Sequence, residues 1–416
     1  MTDSDSQNLS TALFKKNKQT AETSTIVNYL PSSQTILDQR MELITSNCWY
    51  RDLRRPQWSW QGVDPIELEF ILSHIAVSDK ERTIPFMLDT VPGYRTGNWA
   101  YEWTKAATKY KKLAETQQGE EAAESLFTAS LYFSIAGYPH LKGDALADQA
   151  QLLANRAYKD AIDHSSYIIK VIEVPYKGKM IKANLHLPHT DNPLPVVMVS
   201  GGLDSLQTDM WRFFRDYLGP NGLAMLTLDM PSVGLSSHWP LSEDSSCLHQ
   251  AVLNHLKQVP WVDDTNVAVV GFRFGGNVAI RLSFIEQNKI KACVALGAPV
   301  HKAYSDAKKL SQLPKMYLDV IASRVGKRSV DINSLATHMN AWSLKNQGFF
   351  RGRKAPVKIL SLNLEGDPIS NLEDNKVVAR HSQGGEAVEI SSKTLHAGYD
   401  EALDMTLAWV KEALDC

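Results

Sequence analysis

The stretch VAVVGFRFGGNVAIRL, residues 267–282, decides the fold. Its opening run of valine and alanine reads as a strand buried on both faces, and from Phe274 onward the spacing is that of a helix. Between the two, Gly271, Phe272, Arg273, Phe274 and Gly275 form a G-x-x-x-G turn. Glycines at both ends let a strand end and a helix start approach closely, because neither adds a Cβ to the contact. At the apex stands Arg273.

Working outward, the same alternation repeats on both sides. YIIKVIEVPYKGKMIKANLHLP, residues 167–188, holds two β-rich runs around Tyr176, Lys177 and Gly178, the pattern of an antiparallel hairpin. After it come PVVMVSGG, LAMLTLDMP, NVAVVGF, KACVALGAP and VKILSLNLEGDP, short apolar runs separated by helical patterns. Such runs imply βαβ units and a mainly parallel sheet with helices on both faces. Residues 301–355 interrupt the alternation with LPKMYLDVIASRV and DINSLATHMNAW. An insertion after a strand's carboxyl end sits over the crevice there, so a helical lid is expected.

Upstream, residues 26–165 read as a helical N-terminal domain. Trp99, Trp103, Ala106, Ala107 and Tyr110 recur at helical spacing, as do Leu146, Ala150, Leu153, Ala157 and Ala161. Residues 1–25 are polar and poor in large apolar groups, which predicts a mobile or loosely docked arm. The remaining residues, 166–416, form the sheet domain with its lid.

Bulk properties exclude several classes. The 416-residue chain is too long for one small core. No apolar run approaches the length of a membrane span, and the start is polar rather than secretory in type. A net charge of −2 gives no reason to expect nucleic acid or an anionic membrane as partner. Four cysteines, scattered without C-x-x-C spacing, read as reduced thiols of a cytosolic protein, Cys293 as core. No metal or cofactor motif is recognisable.

A strand, sharp turn and helix of this shape carries the catalytic serine in α/β-hydrolases, whose triad runs nucleophile, acid, histidine along the chain. The last two have counterparts here. Asp367 follows the strand run VKILSLNLEG, and His396 lies in SSKTLHAGYD, expected as a loop before the terminal helix. The order places Asp367 to orient His396, and His396 to face the turn at Arg273. The bland alternative for Asp367 is a turn or cap residue.

Arginine at the apex excludes an acyl-enzyme at that position. A guanidinium, protonated at any neutral pH, is neither nucleophile nor base, but it is a fork of donors at a helix N-terminus, suited to a carboxylate, a phosphate or a developing oxyanion. Arg273 pairing with Asp367 and merely filling a lost site is the competing reading. SGGLDS, residues 200–205, stands where hydrolases place an oxyanion loop, so Gly202 and Leu203 are expected to offer backbone N–H groups and Asp204 a carboxylate at the mouth, or else a helix cap. Phe274, beside Arg273, completes the expected substrate-binding set. Ser200, Ser205, Ser236 and Ser237 lie outside any G-x-S-x-G context.

GFRFGGNVAIRL, LDMPSVGLSSHWP and the helical N-terminal region together resemble the fermentation-respiration switch (FrsA) family, a bacterial cytosolic branch of the α/β-hydrolase superfamily, over nearly the whole chain. The resemblance implies the α/β-hydrolase fold and carboxylesterase-type ester hydrolysis, with cofactor-independent decarboxylation of a 2-oxo acid such as pyruvate as a further implied activity. It also implies binding of the dephosphorylated glucose-specific IIA protein of the sugar phosphotransferase system. Decarboxylation sits poorly with the residues. An acyl carbanion needs an electron sink, and an arginine gripping the departing carboxylate stabilises the ground state more than the transition state. The expectation is therefore slow hydrolysis of small carboxylic esters with Asp367, His396 and Arg273 as the working residues. The alternative is a regulatory binding protein on a hydrolase scaffold.

Overall fold

The computed structural model describes residues 21–43, 49–305 and 313–415. Its centre is an eight-stranded sheet. In chain order the strands are β1 (Ile168–Tyr176), β2 (Lys179–Leu187), β3 (Leu194–Ser200), β4 (Ala224–Leu228), β5 (Val262–Phe272), β6 (Ile290–Leu296), β7 (Lys358–Leu364) and β8 (Glu386–Ile390). In space they run β8-β7-β6-β5-β3-β4-β2-β1. The hairpin β1-β2 is antiparallel, β2 is antiparallel to β4, and the other pairs are parallel. This is the α/β-hydrolase fold. The valine-rich centre of β5 is buried throughout from Val267 to Val270, as a strand covered by helices on both faces must be.

The longer helices around the sheet are, in chain order, α1 (Pro31–Leu43), α2 (Arg55–Gln61), α3 (Pro65–Ala76), α4 (Trp99–Ala114), α5 (Gly119–Gly137), α6 (Ala145–Ile162), α7 (Cys247–His255), α8 (Phe274–Ile285), α9 (Lys315–Arg324), α10 (Ile332–Ala341), α11 (Leu372–Arg380) and α12 (Leu395–Leu414). No helix among the described residues is long and apolar enough to cross a membrane.

The N-terminal helices bury an aromatic knot in which Trp58, Trp99 and Trp103 lie 5.7–6.1 Å apart between ring centres. Tyr132 packs against Trp103, and the Trp99 indole donates to the Ile135 carbonyl at 2.7 Å. This core runs without a break into the lid, taking in Met316, Ile321, Leu335 and Trp342, and into the helix after the turn through Phe274 and Val278. The helical region and the inserted segment therefore share one core, a roof that reaches the start of α8.

Polar contacts stitch that roof. Asp319 of α9 is fully buried and accepts from the hydroxyls of Tyr29 and Tyr50, each at 2.6 Å, and from Lys315 at 2.7 Å. Asn28–Tyr29 pairs in parallel with Ser329–Val330. Of the N-terminal arm, residues 1–20 lie outside the described residues. Residues 22–24 are buried, not loosely attached: Thr23 donates to Asp144 at 2.7 Å and accepts from Arg51 at 2.5 Å. These polar contacts hold the arm's end where apolar content alone predicts none.

Candidate functional site

The turn between β5 and α8 is built around close backbone approach. A Cβ on Gly271 would lie 2.1 Å from the Gly275 carbonyl oxygen, and one on Gly275 would lie 2.3 Å from the Ser200 carbonyl oxygen. Between them Arg273 adopts φ 55° and ψ −122°, a conformation L-residues avoid. Its N–H donates to the Leu296 carbonyl at 2.8 Å, and its carbonyl accepts from Gly276 at 2.9 Å. Strain of this kind persists only where the surroundings over-determine it.

The Arg273 guanidinium pairs with Asp367 through one terminal nitrogen. Asp367 is nearly inaccessible, while the arginine side chain keeps 38% exposure. Burial pulls the arginine's pKa down, but Asp367 outweighs that effect and the group stays charged above its ordinary range. The other oxygen of Asp367 accepts from the backbone N–H groups of Ile369 at 2.9 Å and Ser370 at 3.0 Å. Asp367 is thus both ion-pair partner and turn cap. Gly297, at φ 61°, makes room for the arginine, since a Cβ there would lie 2.8 Å from a guanidinium nitrogen.

His396 does not join them. Thr394 caps the last helix by accepting from Ala397 at 3.2 Å, so α12 begins at Leu395 and His396 sits inside its first turn. There it is exposed, and its Nδ1 lies 3.1 Å from Asp400, one turn on along the helix. Among the described residues, Asp367 spends its oxygens on Arg273, Ile369 and Ser370 and bonds no histidine. The expected Asp367–His396 pairing is therefore absent from this geometry.

A cavity opens at the carboxyl ends of β5 to β8. Arg273, Asp367 and Gly202 line it. The rest of the expected binding set lies elsewhere. Phe274 is buried under the lid, its ring 5.2 Å from that of Trp342 and 6.5 Å from that of Tyr304. Leu203 packs its side chain into the roof core, and its carbonyl accepts from Arg324 at 2.7 Å. Asp204 takes a two-pronged bond from Arg54, at 3.1 and 2.5 Å, and faces a smaller neighbouring chamber with Tyr138, His140 and Asp209. Burial there holds His140 neutral, its pKa pushed down to about 3, and pushes Asp209 up to about 7.

Sequence reasoning missed the wall supplied by α2. Arg54, Gln57, Trp60 and Gln61 line the cavity from the N-terminal side, and Tyr399 lines it from α12. The available signal was RRPQWSWQ, residues 54–61: two arginines at a helix start, followed by two tryptophans at a spacing that cannot place both on one helical face.

Known proteins match the chain along its whole length. The model of a family described as esterase FrsA-like matches residues 4–415. The chain belongs to the FrsA-like esterase family. It is 59% identical over 414 residues to esterase FrsA of Vibrio parahaemolyticus, covering 100% of both chains. Esterase FrsA of Photobacterium profundum matches at 48% over 418 residues, again 100% of each. Among solved structures, 2,6-dihydroxy-pseudo-oxynicotine hydrolase superposes with a TM-score of 0.69 at 18% identity, over 86% of this chain and 95% of that one. AbyA5 superposes at 0.65 and 19%, over 77% and 90%. These structures share the fold, and the family makes the chain an esterase-like hydrolase.

Within that FrsA-like frame, the β5–α8 turn presents a fixed cation at its apex. A buried carboxylate holds the arginine in place, so no reorganisation is needed when negative charge arrives beside it. The cavity wall is otherwise mostly apolar, which strengthens that charge interaction.

Proposed function

We propose that the protein hydrolyses carboxylic esters by direct attack of water, with Arg273 stabilising the oxyanion. The observation that carries this reading is the pinned guanidinium at the apex of the β5–α8 turn, facing an apolar cavity at the strand ends. Tyr399 lines that cavity from α12, and His396 lies three residues before it on the same helix. His396 then acts as the base from the mouth, with Asp400 as the orienting carboxylate in the role that sequence order gave to Asp367. Lacking a covalent intermediate, turnover is slow and favours activated esters.

The test is hydrolysis of a short-chain aryl ester. His396→Ala should lower the rate by roughly a hundredfold or more, and Asp400→Asn by less. A rate unchanged in His396→Ala removes the base assignment. Cofactor-independent loss of carbon dioxide from pyruvate is disfavoured for the charge reason already given, since Arg273 holds the carboxylate that must leave.

A second reading draws on the separation of His396 from Asp367. Without a preassembled triad, the protein serves as a regulatory binding module, with the dephosphorylated glucose-specific IIA phosphotransferase protein as the partner the family resemblance implies. Saturable heat on titrating that partner, together with no turnover of any ester, would favour it.

A further inference from the structure

Ester hydrolysis alone does not account for the composition of the cavity wall. Arg273 and Asp367 share the lining with an apolar set that forms its floor, Trp60 of α2, Leu296 and Leu362 at the ends of β6 and β7, Ile390 of β8 and Leu403 of α12. The amides of Gln57, Gln61 and Asn363 also reach it. We propose that this cavity binds monocarboxylates with an extended apolar tail, the carboxylate on Arg273 and the tail along the floor. The inference rests on the reading of the cavity as the acyl site and names the class of acyl group it takes.

Charge and shape select this class. Arg54 is satisfied by both oxygens of Asp204, whereas Arg273 spends one terminal nitrogen on Asp367 and keeps the rest of a planar fork available. A carboxylate matches that fork in plane and in charge. A phosphate dianion would press a second negative charge against apolar side chains and the neighbouring Asp367. A small 2-oxo acid would reach Arg273 but leave the floor wet, forgoing about fourfold in affinity for each methylene buried. Asp367 and the space left by Gly297 fix the guanidinium beforehand, so a ligand does not have to order it.

Calorimetric titration of the full chain with octanoate, acetate, pyruvate and octanol decides the matter. With about half of its six additional methylenes buried, octanoate should bind saturably, on the order of a hundredfold tighter than acetate or pyruvate. Arg273→Gln should weaken octanoate by about tenfold or more while leaving octanol unchanged. Ala402→Phe, which adds bulk to the lining and leaves the arginine in the sequence, should erase the preference for octanoate over acetate. Circular dichroism checks that each variant folds, and either variant alone suffices. Octanoate binding no tighter than acetate, octanol binding as well as octanoate, or wild-type affinity in Arg273→Gln overturns the proposal. Octanoate binding without ester turnover keeps it and removes the hydrolysis reading. Turnover without octanoate binding does the reverse.

Discussion

At Gly275 the backbone leaves no room for a methyl group. The nearest atoms to an added Cβ are the carbonyl oxygens of Ser200 and Gly201, at 2.3 and 2.6 Å, and neither belongs to a side chain that can swing away. Gly275→Ala should therefore cost more than about 4 kcal/mol or prevent folding. Gly326→Ala, at φ 75° with open space around it, should cost only about 1 to 2 kcal/mol. Urea unfolding of the two variants side by side checks the contrast. The residue scale is also where the sequence was most and least informative. Two glycines flanking an arginine between a buried strand and a helix read correctly, because steric demand leaves a local signature. His396 did not, because helix start is a matter of one capping bond. Thr394 begins α12 nearly two turns earlier than the apolar spacing of EALDMTLAWV implies, and that extension puts the histidine on the helix beside Asp400. Asp367 was expected chiefly as the acid that orients His396, and the structure shows it instead in the two blander roles weighed beside that one, ion-pair partner of Arg273 and turn cap.

Among the elements, the seam between the N-terminal strap and α9 is held by charge as well as by packing. Asp319 takes two tyrosine hydroxyls and Lys315, and Lys315 in turn donates to the Ser24 carbonyl at 2.8 Å. Removing the carboxylate leaves a nearly buried ammonium without its counter-charge. Asp319→Ala should destabilise the fold by about 3 to 5 kcal/mol, read from urea unfolding. Hydrogen exchange in α9 should accelerate in the same variant. The strands of the sheet were legible as elements because they are buried on both faces. What covers the lid was not, since an amphipathic stripe announces a buried face without naming what buries it. Helices α1 to α6 occupy the N-terminal stretch, and α9 and α10 fall within 301–355. Their common core, running from Trp103 through Met316 to Trp342, appears only in three dimensions.

Across the whole molecule, buried titratable groups set the response to acid. His140, His186 and His249 are held neutral by burial, with pKa values pushed down to about 3, 4 and 3. Below about pH 6.5 the unfolded chain takes up protons that these folded histidines refuse, so the stability they contribute above that pH drains as pH falls toward 4. Asp209 and Asp229 act the other way. Burial raises them to about 7 and about 6, so their contribution is present at low pH and is lost as pH rises through those values. His249 isolates one histidine's share: burial is the cause of its shift, and among the described residues neither ring nitrogen has a hydrogen-bond partner. Wild type should lose about 1.4 kcal/mol per pH unit more than His249→Phe between about pH 6 and 4.5. Urea midpoints across that range give the difference directly, and parallel curves would refute it.

The shared roof also has a consequence for the order in which the chain is made. Tyr50 and its partner Asp319 are 269 residues apart, with the entire sheet up to β6 between them. At about 5 to 20 residues per second, a ribosome needs very roughly 15 to 50 seconds to deliver the second after the first. Through that interval the tryptophans of the N-terminal helices have emerged, but the lid that covers them has not been translated. The nascent chain thus carries an uncovered aromatic surface for much of its synthesis, and its need for chaperone shielding should peak before the lid leaves the exit tunnel.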